Sequence, residues 1–321
     1  MPPTPAPLGL LCPRAAPSRA AAIVVPARPT AAGPWVAHGS AWPPTNEGTT
    51  AATVLVADVR GFTGLSRRLG AAATAAFLNR LFGAIVPCIE AEAGSIDKFI
   101  GDAVLAVFGL PMADGDEADR AVRAAIAIQR RVADLNRTTP HAAGTAIAVA
   151  IGIDAGEVFF GRVGAGTWVA PTVIGANVNS AFALQQACKR CHASILISAS
   201  VRRHLADRYC LRLLDAPRPH EPPLYDFVGE TAPVYEVLDH HSETTFPGLR
   251  AALRYYHRGL AASRAGRFAA AERAFAAALA LNEHDPLCRL HAERCRRLRA
   301  AEMTDLCNAT KRLGVRRRVR L

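Results

Sequence analysis

The sequence lacks any unbroken apolar run of the about 20 residues that cross a lipid bilayer. Its first residues, Met1–Pro5, also lack the basic region and the apolar core of a secretion signal. Without such a signal, the eight cysteines indicate reduced thiols and exclude a secreted disulfide scaffold. We therefore expect no transmembrane segment and a cytoplasmic location.

Aromatic residues do not accompany the basic residues, although the formal net charge is +11. Arginines and lysines crowd residues 304–321, which we interpret as a basic tail. Such a tail can steer a chain towards nucleic acid or anionic lipid. Because no nucleic-acid fold motif accompanies it, a solvated tail is favoured and no specific nucleic acid is expected as a partner.

The N-terminal segment differs in composition from the rest of the chain. Its first 50 residues hold half of the 22 prolines and show no sustained apolar periodicity. Such a segment cannot bury enough apolar surface to offset the entropy lost on ordering. We predict a disordered leader over residues 1–48 and a folded domain over residues 49–240.

Two short segments each place an aspartate where a strand is predicted to end. Asp58 follows the β-branched run Thr53–Ala57. Asp102 lies in a Gly-Asp turn between Ile96–Ile100 and Ala103–Phe108, a pattern typical of a β-hairpin. Two carboxylates in one pocket would suit a pair of Mg²⁺ ions acting on a nucleotide. The alternative is that each aspartate only satisfies its turn.

Further segments follow these two in a defined order. They are Phe77–Phe82, Gly94–Asp102, Ile151–Val158, Thr172–Asn179, Ile195–Ser198 and Pro233–Val237. The series resembles the class III nucleotidyl cyclases, the adenylate and guanylate cyclase catalytic domain. The resemblance implies an α+β fold of the ferredoxin-like βαββαβ type, with helices Ala71–Glu92, Asp116–Arg137 and Asn177–Ala187 on an antiparallel sheet.

The resemblance also implies a reaction and a metal site. In such enzymes the 3′-hydroxyl of ATP attacks the α-phosphate, which yields cyclic AMP and pyrophosphate. Two Mg²⁺ or Mn²⁺ ions per site assist this step. Asp58 and Asp102 match the metal-binding aspartates, and the backbone carbonyl of Val59 is expected to help.

The substrate-binding positions come from the same resemblance. Lys98 and Thr172 match the two positions that contact the purine, and threonine at the second favours ATP. Asn179 matches the catalytic asparagine that orients the ribose. Backbone N–H groups of residues 61–63, namely Gly61, Phe62 and Thr63, are expected to hold phosphate oxygens. Since the family builds each site from two domains, one chain with both sets of residues implies a head-to-tail homodimer.

Two positions depart from the family pattern. Ala183 stands where the family has a transition-state arginine, and Val228, before Gly229, stands where a lysine usually holds the terminal phosphates. Lys189 and Arg190 are candidate substitutes, but they lie further along the helix. We therefore expect an adenylate cyclase with weakened activity. The alternative is a degenerate cyclase domain that binds nucleotide or dimerises without turnover.

Residues 246–303 are rich in alanine and arginine and predict helices. Small and aromatic residues fall at the spacing of a tetratricopeptide unit, namely Gly259, Gly266, Phe268, Ala271, Phe275 and Ala278. A single unit needs a surface to stack against, which could be the cyclase domain, the following helix Pro286–Met303 or a protein partner. An alanine-rich helical hairpin without a partner is the alternative.

The segment Cys188–His192 has the spacing of a covalent c-type haem attachment site. It follows the helix after Asn179 and precedes a predicted strand, so we favour a helix end over a haem, zinc or redox site.

Overall fold

The structure, a computed structural model, describes residues 47–138, 146–206, 209–215 and 233–318. Beyond residue 302, Thr304 is the one residue whose side chain is described. The leader predicted over residues 1–48, except its last two residues, and Val228 lie outside the described residues, as do the side chains of most of the basic tail.

The described chain forms eight strands and eight helices, which include the strands and helices expected from the sequence in their predicted order. The strands are β1 (Gly48–Val59), β2 (Ser95–Ile100), β3 (Ala103–Phe108), β4 (Val149–Ala165), β5 (Trp168–Ile174), β6 (Ile195–Ile197), β7 (Leu211–Leu213) and β8 (Tyr235–Val237). The helices are α1 (Phe62–Leu69), α2 (Ala71–Glu90), α3 (Glu117–Thr138), α4 (Ala176–Cys191), α5 (Ala199–His204), α6 (Leu249–Arg264), α7 (Phe268–Leu281) and α8 (Pro286–Arg318).

All eight strands belong to one sheet. Its order is β2-β3-β1-β4-β6-β8-β7, and β5 pairs with β4 off this path. Every pairing is antiparallel except that of β4 with β6. The predicted α+β class with a mostly antiparallel sheet is thus confirmed.

Both faces of the central strand β1 are covered. Leu55 and Ala57 lie in a buried cluster with residues of α2 and α3. Val54 and Val56 lie in a second cluster with Ala181 of α4. Because side chains alternate along a strand, Asp58 points to the same face as Val54 and Val56. The face that carries Asp58 is therefore the one covered by α4.

Helix α4 lies unusually close to strand β4, and Gly152 permits this approach. A Cβ atom at this position would overlap the carbonyl oxygen of Ala181 and the backbone nitrogen of Gln185. Any other residue would push α4 away from the sheet. The position of α4 over the end of β1 thus depends on the absence of a side chain at Gly152.

By length and composition, α2 is apolar enough to cross a membrane, which the search for unbroken apolar runs overlooked. In the structure one of its faces is buried, with Phe77, Leu81 and Ile85 in the cluster between α2, α3 and the sheet. The helix therefore occupies the position of a core helix.

The C-terminal helices pack on one end of the sheet. Tyr256 of α6 donates hydrogen bonds to the carbonyls of Leu213 and Leu214, at 2.9 and 3.2 Å. Within the helices, a Cβ atom at Gly259 would lie 2.7 Å from the ring of Phe275, so glycine lets α6 and α7 approach closely. This is the helical hairpin expected from the sequence, and its identity as a tetratricopeptide unit stays a prediction.

The cysteine-containing segment at the end of α4 is part of this packing. Cys188 and Cys191 are buried, and burial raises the pKa of the Cys188 thiol to about 12. The pair therefore belongs to the core at a helix end.

Candidate active site

The structure brings Asp58 and Asp102 together at the ends of adjacent strands. Asp58 pairs with Ala103 across the β1–β3 ladder, and Asp102 immediately precedes Ala103. Gly101 adopts the left-handed conformation, φ 62°, that the two-residue turn requires. Burial, together with a hydrogen bond and charge repulsion from Asp58, raises the pKa of Asp102 to about 7. The two carboxylates therefore share one small site.

This donor set fits a hard divalent cation. Two carboxylates with unfavourable mutual repulsion gain most from a positive charge between them, and Mg²⁺ and Mn²⁺ prefer oxygen ligands. Among the described residues, no group of three or more histidines, cysteines, aspartates and glutamates could hold a metal. Asp58 and Asp102 would thus supply only part of a coordination shell, which leaves positions for substrate oxygens.

Two side chains of α4 also bind Asp58. Gln185 Nε2 donates to Asp58 Oδ2 over 2.8 Å, and Lys189 Nζ donates to the same oxygen over 3.0 Å. Gln185 is buried, whereas about half of the Lys189 side chain is exposed. Gln185 was not among the site residues expected from the sequence. Its spacing of four residues from Lys189 was the available signal, since such residues share one face of a helix.

Lys98 and Thr172, the residues expected to contact the purine, also meet. Lys98 Nζ donates a hydrogen bond to Thr172 Oγ1 over 2.6 Å. The ammonium also forms an ion pair of 3.2 Å with Asp97, whose side chain is buried. Burial raises the pKa of Asp97 to about 6, and the charge of Lys98 opposes this shift.

A β-bulge explains why Asp97 and Lys98 can interact. The β2–β3 register shifts between Ile96 and Lys98, so that Asp97 is the extra residue. In a regular strand, neighbouring side chains point to opposite faces. The strand pattern gave no signal for the bulge, and Asp97 was not anticipated.

The remaining site residues lie apart from these two groups. Gly61, φ 70°, precedes α1, so that Phe62 and Thr63 form the first turn of the helix, where N–H groups lack intrahelical acceptors. Asn179 is exposed on α4, and Ala183, one turn later, is half-buried. We call Asp58, Asp102, Gln185 and Lys189 the Asp58 group, and Lys98, Thr172 and Asp97 the Lys98 group. Within the described chain, no hydrogen bond or ion pair joins the two groups.

Comparison with known proteins agrees with this geometry. A family model described as "Adenylate and Guanylate cyclase catalytic domain" matches residues 45–214. The chain is 35% identical over 169 residues to an adenylate cyclase of Anabaena cylindrica, which covers 51% of this chain and 33% of that protein. It is 30% identical over 195 residues to the terminal-differentiation specific adenylate cyclase of Dictyostelium discoideum, covering 60% of this chain and 9% of that one. The chain thus spans a third or less of these relatives.

Among solved structures, the fold is similar to that of the adenylyl cyclase CyaB from P. aeruginosa. The TM-score is 0.52 at 30% sequence identity, and the match covers 60% of this chain and 96% of that chain. The similarity therefore extends over nearly all of that cyclase structure.

Proposed function

The chain belongs to the adenylate and guanylate cyclase catalytic domain family, and we propose that it is an adenylate cyclase, converting ATP to cyclic AMP and pyrophosphate. The observation that carries the choice of ATP is the 2.6 Å hydrogen bond between Lys98 and Thr172. The named relatives above, two adenylate cyclases and an adenylyl cyclase structure, support the same choice.

The chemistry of the Lys98 and Thr172 side chains favours adenine. An ammonium group only donates hydrogen bonds, and N1 of adenine is an acceptor, whereas N1 of guanine carries a hydrogen. The threonine hydroxyl can accept a hydrogen bond from the 6-amino group of adenine. With guanine, the N1–H donor would therefore face the Lys98 ammonium, which is also a donor.

In the reaction the 3′-hydroxyl loses its proton to solvent water, and its oxygen bonds to the α-phosphorus. The bond from the α-phosphorus to the oxygen that bridges to the β-phosphate breaks, so pyrophosphate leaves. When bound, divalent metal ions lower the pKa of the 3′-hydroxyl and neutralise charge on the phosphates. Asp58, Asp102 and the carbonyl of Val59 would hold them. The N–H groups of residues 61–63 donate to phosphate oxygens, and Asn179 orients the ribose.

We further propose that two copies of the chain build each site, head to tail. Within the described residues of one chain, no hydrogen bond or ion pair joins Asp58 and Asp102 to Lys98 and Thr172, as expected if each pair forms half of a site. Apolar side chains are exposed on the strands near both groups, namely Phe99, Ile100, Trp168 and Ile174. A second copy would cover such side chains, and twofold symmetry would then give two equivalent sites.

The second candidate function is nucleotide binding without turnover, and Ala183 favours it. In other phosphoryl-transfer enzymes a transition-state arginine contributes about 10³–10⁵ in rate. A chain without this charge is expected to react slowly, and the slowest case is a regulatory module. The retained Asp58, Asp102, Lys98, Thr172 and Asn179 favour the enzyme.

The test is the formation of cyclic AMP from ATP by the purified full chain with Mn²⁺ or Mg²⁺, measured by chromatography. We expect cyclic AMP that is lost on adding a chelator, and a lower kcat/KM for GTP. Binding of ATP without product would support the second candidate, and equal use of GTP would contradict the choice of adenine.

A further inference from the structure

Building on the proposed function, we infer that Gln185 and Lys189 are positioning residues for the metal-binding carboxylate of Asp58. Lys189 also supplies a positive charge to the carboxylate pair from within the same chain. Neither residue has a role implied by the family resemblance, and both act through Asp58 rather than on the substrate.

The two donors of α4 meet at one oxygen of Asp58. Gln185 Nε2 and Lys189 Nζ both donate to Oδ2, over 2.8 and 3.0 Å. They lie one turn apart on α4, so that the two donors approach from one helix face. Asp102 is the third partner of this carboxylate, through a hydrogen bond to Asp58. A carboxylate fixed in this way presents one oxygen in a defined direction.

The two donors have different freedom. Gln185 is only 3% exposed, and the close approach of α4 at Gly152 holds its backbone against the sheet. Its amide is therefore a fixed donor. The Lys189 side chain is 47% exposed and flexible, so its ammonium can shift when a cation enters. Gln185 therefore fixes the orientation of the Asp58 carboxylate, whereas Lys189 compensates its negative charge.

The charge of Lys189 lies in a different place from that of the missing arginine. Its ammonium faces Asp58 directly and also acts on Asp102. An arginine at position 183 would instead stabilise the α-phosphate, according to the family resemblance. Lys189 therefore offsets repulsion between the two carboxylates before a cation binds, and it competes with that cation for Oδ2.

This competition gives a readout that does not depend on turnover. We would titrate the full chain with Mn²⁺ alone and follow free Mn²⁺ by electron paramagnetic resonance. Lys189→Met removes the competing charge, so Mn²⁺ should bind about five- to tenfold more tightly. The same variant should lower kcat with little change in KM, because Asp58 loses a restraint. Lys189→Arg should restore Mn²⁺ affinity close to that of the wild type.

Two further variants complete the test. Arg264→Met removes one positive charge from an exposed position on α6 and should leave Mn²⁺ affinity within about twofold. Gln185→Met keeps the size of the side chain and removes the donor, so it should lower kcat without tightening Mn²⁺ binding.

The inference is overturned if Lys189→Met binds Mn²⁺ as the wild type does, if Arg264→Met gives the same shift, or if the wild type binds no Mn²⁺. A wild type that binds Mn²⁺ but forms no cyclic nucleotide would refute the proposed function alone. The change in Mn²⁺ affinity caused by Lys189→Met would still test the role of Lys189.

Discussion

Arg212 on β7 donates a hydrogen bond of 2.5 Å to Asp285, the residue before α8, although 73 residues separate them in the sequence. The same guanidinium donates to Glu236 on β8, at 2.7 and 2.9 Å, and lies 5.2 Å from the ring centre of Tyr256. All three charged side chains are buried. The C-terminal helices are therefore joined to the sheet by an ion triad that is shielded from water.

Replacing Arg212 should destabilise the whole chain. Arg212→Met keeps an apolar stem of similar length but leaves Glu236 and Asp285 buried without a cation. Breaking a buried ion pair in this way costs about 3–5 kcal/mol. Urea unfolding followed by circular dichroism measures the loss, with the exposed Arg254→Met on α6 as the matched control. A loss no larger than that of the control would contradict the structural role of the triad.

The proposed metal ligands, Asp58 and Asp102, give a second prediction. Asp58→Asn and Asp102→Asn keep the size of each side chain and remove one negative charge, so metal-dependent formation of cyclic AMP should fall below detection while the fold is kept. Asp134→Asn, an exposed position on α3, makes the same change away from the site and should keep wild-type activity. Full metal-dependent activity in either site variant would refute the two-metal assignment.

The shared site can be tested by complementation. A chain with Asp58→Ala lacks the metal half of its site, and a chain with Asn179→Ala lacks the ribose-orienting half. Mixing the two should restore one complete site in each heterodimer, so the mixture should be more active than either variant alone. Heterodimers verified by differential tags but without regained activity would argue against a site built from two chains.

Restoring the missing arginine is the fourth prediction. Ala183→Arg should raise kcat with little change in KM, because the added charge acts mainly in the transition state. The gain could reach about 10³ if arginine contributes as in other phosphoryl-transfer sites. Val228→Lys, in contrast, should lower KM through the terminal phosphates. If the wild type already has a high kcat and Ala183→Arg leaves it unchanged, another group must stabilise the charge of the transition state.

The strand and helix order could be predicted because it depends on local patterns. Thr53–Ala57 is a continuous β-branched run that becomes part of β1, and the Gly-Asp turn defines the β2–β3 hairpin within one residue. The structure brings Lys98 to Thr172, and their role in contacting the purine stays a prediction of the family resemblance. These features persist because side-chain alternation and turn conformation are set by residues close in sequence.

Asp97, Gln185 and Arg212 could not be assigned in the same way. Asp97 meets Lys98 because of a bulge, and bulges depend on the partner strand as well as on the strand itself. Gln185 reaches Asp58 across 127 residues, and Arg212 reaches Asp285 across 73. Such contacts require elements that are distant in sequence to pack at one distance and one angle.

The sequence by itself determined the family and the fold class, and it drew attention to Asp58 and Asp102, since each follows from short motifs and their order. Only the tertiary structure decided that α4 lies close enough to β4 for Gln185 and Lys189 to hold Asp58. The physical reason is Gly152, whose missing side chain lets two backbones approach closely. A glycine in a sequence indicates conformational freedom. Which backbone packs against it, here that of α4 against Gly152, is decided only when the chain folds.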